Sequence, residues 1–87
     1  MTLRFIAKDP DTGSNASPTV WVDETDDGLL IQGWKAGEET LAECLKTGSI
    51  PDYEAVIKIP ARMIDIVREA CDVAERARLR RAAGELP

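Results

Sequence analysis

Acidic side chains crowd into Asp23-Glu24-Thr25-Asp26-Asp27-Gly28, and their spacing invites a test for calcium chemistry. Asp23, Thr25, Asp27 and Gly28 fall on the first, third, fifth and sixth places of an EF-hand loop. The twelfth place is Trp34, where a bidentate glutamate is needed, and the flanks favour strand over helix. The run therefore reads as an acidic hairpin turn. A structural zinc site takes four Cys or His ligands, and this chain has no histidine and only Cys44 and Cys71, without a CxxC pair. Both cysteines sit among helical apolar residues, which predicts reduced, half-buried thiols. Without histidine, a serine or cysteine nucleophile would need a carboxylate or lysine base that no spacing indicates. No catalytic, cofactor-binding or metal-binding residue is assigned, and no cofactor is expected.

Two other groups of residues carry more weight. Trp21 and Trp34 flank a hairpin signal, and tryptophan is enriched at interface hot spots because it buries a large area at low entropic cost. At the other end, Arg76, Arg78, Arg80 and Arg81 form a basic cluster. Residues 1–60 hold five basic and eleven acidic side chains, so the molecule is electrically polarised. The arginines are candidates for nucleic-acid or dimer contact. Glu69, Asp72 and Glu75 precede them at helical distance, however, and a net charge of −5 opposes general polyanion binding.

The elements that must position these residues follow from periodicity. Thr19 to Val22 and Leu29 to Trp34 favour extended chain around Asp27-Gly28, a tight-turn pair. A two-residue loop pairs Trp21 with Trp34, and a four-residue loop from Thr25 to Gly28 shifts partners by two; either register leaves the faces unchanged. Val20, Val22, Leu29 and Ile31 share an aliphatic face that reads as core. Trp21, Asp23, Leu30, Gln32 and Trp34 share the other, whose mixture of aromatic and polar groups fits a partner surface. Trp21, Leu30, Gln32 and Trp34 are its expected contacts.

Upstream, residues 3–7 alternate as a first strand, with Leu3, Phe5 and Ala7 on one side and Arg4 and Ile6 on the other. Residues 8–18 are rich in Pro, Gly, Ser, Asn and Asp and predict an exposed, flexible loop. Downstream, residues 37–48 predict a short helix with Leu41, Cys44 and Leu45 inward and Gly48 as a left-handed cap. Residues 53–59 predict a strand completing a three-stranded sheet. Pro60, at a first helical position, opens a helix reaching about Ala83. Met63, Ile66, Val67, Ala70, Ala74 and Ala77 form its apolar stripe, beside Ile64 and Cys71, and Arg62, Asp65, Glu69, Asp72 and Arg76 line the opposite side. At about 35 Å it is longer than such a sheet covers, so its last two turns are expected to fray or dock on a partner.

These readings define one α+β domain over residues 1–87: a three- or four-stranded antiparallel sheet, a long C-terminal helix on one face, and a short helix after the hairpin. Residues 78–87 are its basic, frayed end. With 44% hydrophobic and 31% charged residues it is an ordinary soluble composition, and residues 1–8 are too short and interrupted for a signal peptide or membrane span. A cytoplasmic location and no membrane partner are expected.

Arg4-Phe5-Ile6 with Lys8-Asp9-Pro10, Pro18-Thr19-Val20-Trp21-Val22-Asp23, Gln32-Gly33-Trp34, Ile50-Pro51-Asp52, and Ile59-Pro60-Ala61-Arg62-Met63 with Arg68-Glu69-Ala70 resemble small uncharacterised actinobacterial proteins of the streptomycete type, encoded near helix-turn-helix regulators of development. The order of three strands and a helix is also similar to another short actinobacterial family of regulator partners. The resemblance implies a non-enzymatic regulatory protein that binds another protein, including a helix-turn-helix regulator, and the long helix adds a homodimer. Two other classes remain open. A small nucleic-acid-binding protein would use Arg76, Arg78, Arg80 and Arg81, and a cysteine-dependent enzyme or toxin would use Cys44 or Cys71.

Overall fold

A computed structural model describes residues 2–12 and 16–84. Three strands, β1 (Leu3–Lys8), β2 (Thr19–Asp23) and β3 (Gly28–Gln32), form an antiparallel sheet in the order β1-β2-β3. β4 (Trp34–Lys35) pairs with β5 (Ile57–Lys58) in a separate two-stranded sheet, with α1 (Glu38–Cys44) between them in sequence. A 3-10 turn at Ala61–Met63 leads into α2 (Ile64–Ala82), which packs on the three-stranded sheet. The class is α+β, as the sequence predicts.

The aliphatic face also stands. Val20 and Val22 are fully buried with Met63, Ala70 and Ala74 of the helical segment, and Ile6, Leu29, Ile31, Ile66, Val67 and Val73 pack around them. Small alanines on α2 let the helix sit close to β-branched residues of the sheet, so burial is achieved with short side chains.

The register does not stand. Val22 pairs with Leu29 and Trp21 with Leu30, across a loop running from Glu24 to Asp27. The cause lies in the acidic side chains. The Thr25 amide donates to Asp23 Oδ1 at 2.8 Å, and the Gly28 amide donates to Asp26 Oδ1 at 2.8 Å. These two Asx turns, with the Asp27 amide bonded to the Asp23 carbonyl at 2.8 Å, hold a four-residue loop. Asp27 takes the left-handed conformation at φ 65°, a region aspartate tolerates better than most residues. Because the shift is even, every side chain keeps its face, but Trp34 is carried beyond β3 and does not oppose Trp21.

Four further expectations are corrected. The third strand of the main sheet is β1, and within residues 53–59 only Ile57 and Lys58 pair, with β4. Ile6 packs on the core side with Arg4, as alternation predicts, but a bulge after Phe5 sets Ala7 opposite Val20, not in line with Leu3 and Phe5. Pro60 precedes the first helical residue: the Met63 amide bonds the Pro60 carbonyl at 3.0 Å, closing the 3-10 turn before α2 starts. α1 ends without a left-handed glycine. Turn bonds from Lys46 and Thr47, and the Thr47 hydroxyl on the Cys44 carbonyl at 2.8 Å, satisfy its end, and Leu45 is exposed. The left-handed C-terminal glycine belongs to α2, at Gly84 with φ 76°.

Candidate functional site

The face of the main sheet opposite α2 carries one continuous apolar row. Phe5 pairs with Trp21 and Trp21 with Leu30, so three large side chains from three strands stand in register, and Leu3 adjoins them two residues along β1. Phe5 is 56% exposed, Leu3 43% and Leu30 38%, with Trp21 half-buried at the centre. Alternation places Trp21 and Leu30 outward because their neighbours Val20, Val22, Leu29 and Ile31 are claimed by the core, and Phe5 and Leu3 share that face through the pairing of β1 with β2. Cross-strand aromatic and aliphatic pairs stabilise a sheet, but this row leaves much of its area in water.

The ends of the row are polar and tied down. Lys8 Nζ donates to the Thr19 hydroxyl at 3.0 Å, and Gln32 Nε2 donates to the Ser17 carbonyl at 3.0 Å. Ser17 and Thr19 are buried, with the Thr19 hydroxyl donating to the Ser17 carbonyl at 2.8 Å. The segment 8–18 is thus anchored at both margins: Asp9 and Pro18 are buried, and the Asp9 amide bonds the Pro18 carbonyl at 2.9 Å. Those residues contradict an exposed loop over its whole length; residues 13–15 lie outside the described residues.

Of the four expected contacts, Trp21, Leu30 and Gln32 share this face, with Gln32 engaged at its edge. Trp34 belongs to the other sheet, opposite Lys58, and is 47% exposed there. Leu3 and Phe5 are the residues that sequence reading left out. Their alternation was a signal, but it did not say which strand they adjoin.

Two arginine–aspartate clamps explain why α2 lies where it does. Arg62 holds Asp9 with both ends of its guanidinium, Nε to Oδ1 at 2.7 Å and Nη2 to Oδ2 at 2.6 Å. The Arg62 hydrogen bonds hold the Asp9 carboxyl well below the usual carboxylate range; burial opposes this, while the Thr12 hydroxyl and the Asp11 amide reinforce it. The same pair raises the Arg62 pKa, so both charges persist. At the other end, Arg81 Nη1 donates to Asp27 Oδ2 and Nη2 to the Glu24 carbonyl at 2.7 Å. The last described turn of α2 is exposed but bonded to the hairpin loop through Arg81; residues 85–87 of the expected frayed end lie outside the described residues.

That clamp also divides the basic cluster. Arg81 is spent on Asp27, Arg76 and Arg80 border a recess with Arg4, and Arg78 is exposed outside it. Cys44 and Cys71 are free; Cys44 is half-buried, whereas Cys71 is exposed in an apolar groove of about 420 Å³ with Ile59, Ile64 and Val67. Among the described residues no group of three or more His, Cys, Asp or Glu side chains is placed to hold a metal ion, and no helix is long and apolar enough to cross a membrane.

No known protein family, curated protein or solved structure matches this chain.

Proposed function

We propose that the chain is a non-enzymatic protein-interaction module, a small regulatory partner that docks another protein on the row Leu3, Phe5, Trp21 and Leu30. The carrying observation is the registration of Phe5, Trp21 and Leu30 across three strands on the face without α2. Exposed apolar patches rimmed by polar groups mark interaction surfaces, and an aromatic at the centre with aliphatics around it is the composition of a hot spot. The resemblance to proteins encoded beside helix-turn-helix regulators supports a transcription regulator as the partner. The apolar groove along α2 supports homodimerisation by a second surface that leaves the sheet face free.

Phe5→Ala combined with Leu30→Ala tests this reading. Both residues are exposed, so the fold should persist, which the unfolding transition checks. Capture of a partner from the native cytoplasm should be lost, and light scattering across protein concentration should return the same oligomeric state as wild type. Retention of every captured protein by the double variant would overturn the assignment. Loss of self-association would move the dimer interface from α2 to this face.

A further inference from the structure

Arg4, Arg76 and Arg80 line one recess of about 140 Å³ together with Val73. Arg76 and Arg80 are one helical turn apart on α2, and Arg4 reaches the same side because its position in β1 faces Val22, on the side of the sheet that packs α2. Among the described residues none of the three forms an ion pair. Lys46, Arg62, Arg68 and Arg81, by contrast, do. Arg76 Nε donates to the Asp72 carbonyl at 3.3 Å, which leaves its two terminal nitrogens available.

Like charges one turn apart repel, so three uncompensated guanidiniums around one recess, in a chain of net charge −5, form a positive focus that the fold does not neutralise. The Arg62–Asp9 clamp gives the scale for a carboxylate: its two oxygens engage a single guanidinium. Three guanidiniums match an anion with more acceptor oxygens and more than one charge, which is the chemistry of a phosphoryl group. A long polyanion fits less well, since Asp72 and Glu75 border the adjoining recess beside Arg76 and would lie along its path. We propose that this recess binds the terminal phosphate of a small phosphorylated ligand. The site is on the α2 side of the sheet and does not depend on the docking role of the opposite face.

The test is an NMR titration of the full chain at constant ionic strength, following arginine Nε–H signals with inorganic phosphate, pyrophosphate and a single-stranded oligonucleotide as probes. Saturable shifts at Arg4, Arg76 and Arg80 with phosphate or pyrophosphate are expected, with Arg78 unmoved. Arg4→Gln and Arg80→Gln should each weaken binding roughly tenfold, the loss of one hydrogen bond to a charged group, whereas Arg78→Gln should leave it unchanged. Phosphate alone would identify the free ion as sufficient, and pyrophosphate binding more tightly would identify a diphosphate ligand; both sustain the proposal. Equal sensitivity to Arg78→Gln, shifts that never saturate, or an oligonucleotide that outcompetes pyrophosphate would overturn it.

Discussion

Asp9 is a carboxylate shut off from water, with its side chain 0% exposed, and Arg62 gives it two hydrogen bonds while remaining 42% exposed itself. Such a pair fixes geometry, because removing one partner leaves the other's charge without its bonds. It also fixes a pH dependence whose sign can be worked out. In the unfolded chain Asp9 titrates near its ordinary value of 3.8, whereas in the folded chain Arg62 keeps it ionised well below that. The folded state therefore holds fewer protons through the acid range. The stabilisation is complete above about pH 5 and is lost as pH falls through and below the ordinary value. Asp9→Asn removes this contribution at neutral pH and with it the extra acid sensitivity. Urea midpoints between about pH 6 and pH 3 should fall more steeply for wild type than for Asp9→Asn, since the other carboxylates are common to both. Parallel curves would show that Asp9 contributes nothing to acid unfolding.

At the level of elements, α2 is a strap fastened at both ends, by Arg62 to the start of the 8–18 segment and by Arg81 to the hairpin loop. Its packed centre needs no such help, since Ala70 and Ala74 are buried there and Met63 is buried just before it. Its last turn does, because Arg78, Leu79 and Arg80 are all exposed. Arg81→Gln should therefore loosen the end and spare the middle: amide exchange at Ala82 and Ala83 should rise about threefold to tenfold, with no change at Ala70. An unchanged rate at Ala83 would make the clamp irrelevant to helix order. Neither strap was legible in the sequence, because Asp9 and Arg62 lie 53 positions apart and Asp27 and Arg81 lie 54 apart, and no local pattern joins them. What was legible rests on parity and period. Val20, Val22, Leu29 and Ile31 keep their common face under any even shift, and the three-and-four spacing from Met63 to Ala77 survives any error at the helix start. Register failed where side chains of Asp23 and Asp26 took over backbone hydrogen bonding, lengthening the loop and removing Trp34 from the expected surface. The docking row was half legible for the same reason: Trp21 and Leu30 share a face by parity, but Phe5 joins them only through a strand pairing that alternation cannot choose.

Over the whole molecule, mass is distributed unevenly. The radius of gyration is 15.2 Å with extents of 46 × 33 × 22 Å, against about 12 Å for a spherical chain of this length. All five residues of the buried apolar core belong to β2, the 3-10 turn and α2, and no residue from 34 to 58 is buried. The β4, α1 and β5 segment is thus a lobe attached to a small core, and its two ends are drawn together where Gly33 approaches Lys58. A Cβ there would stand 2.6 Å from the Lys58 carbonyl oxygen. A lobe with little burial of its own should open without unfolding the rest, since local stability follows buried apolar contact. Met63→Ala separates the two behaviours. Met63 is the largest fully buried side chain, and its truncation should cost about 2–5 kcal/mol of global stability, a large share of what a domain this small possesses. Native-state hydrogen exchange should then lose that amount of protection at Val20, Val22 and Ala74, whereas amides of α1 and of Trp34 and Lys58, already limited by local opening, should exchange as before. If protection in residues 34–58 fell by the same amount as in β2, the two sheets would unfold as one cooperative unit, and the lobe would share the core's stability.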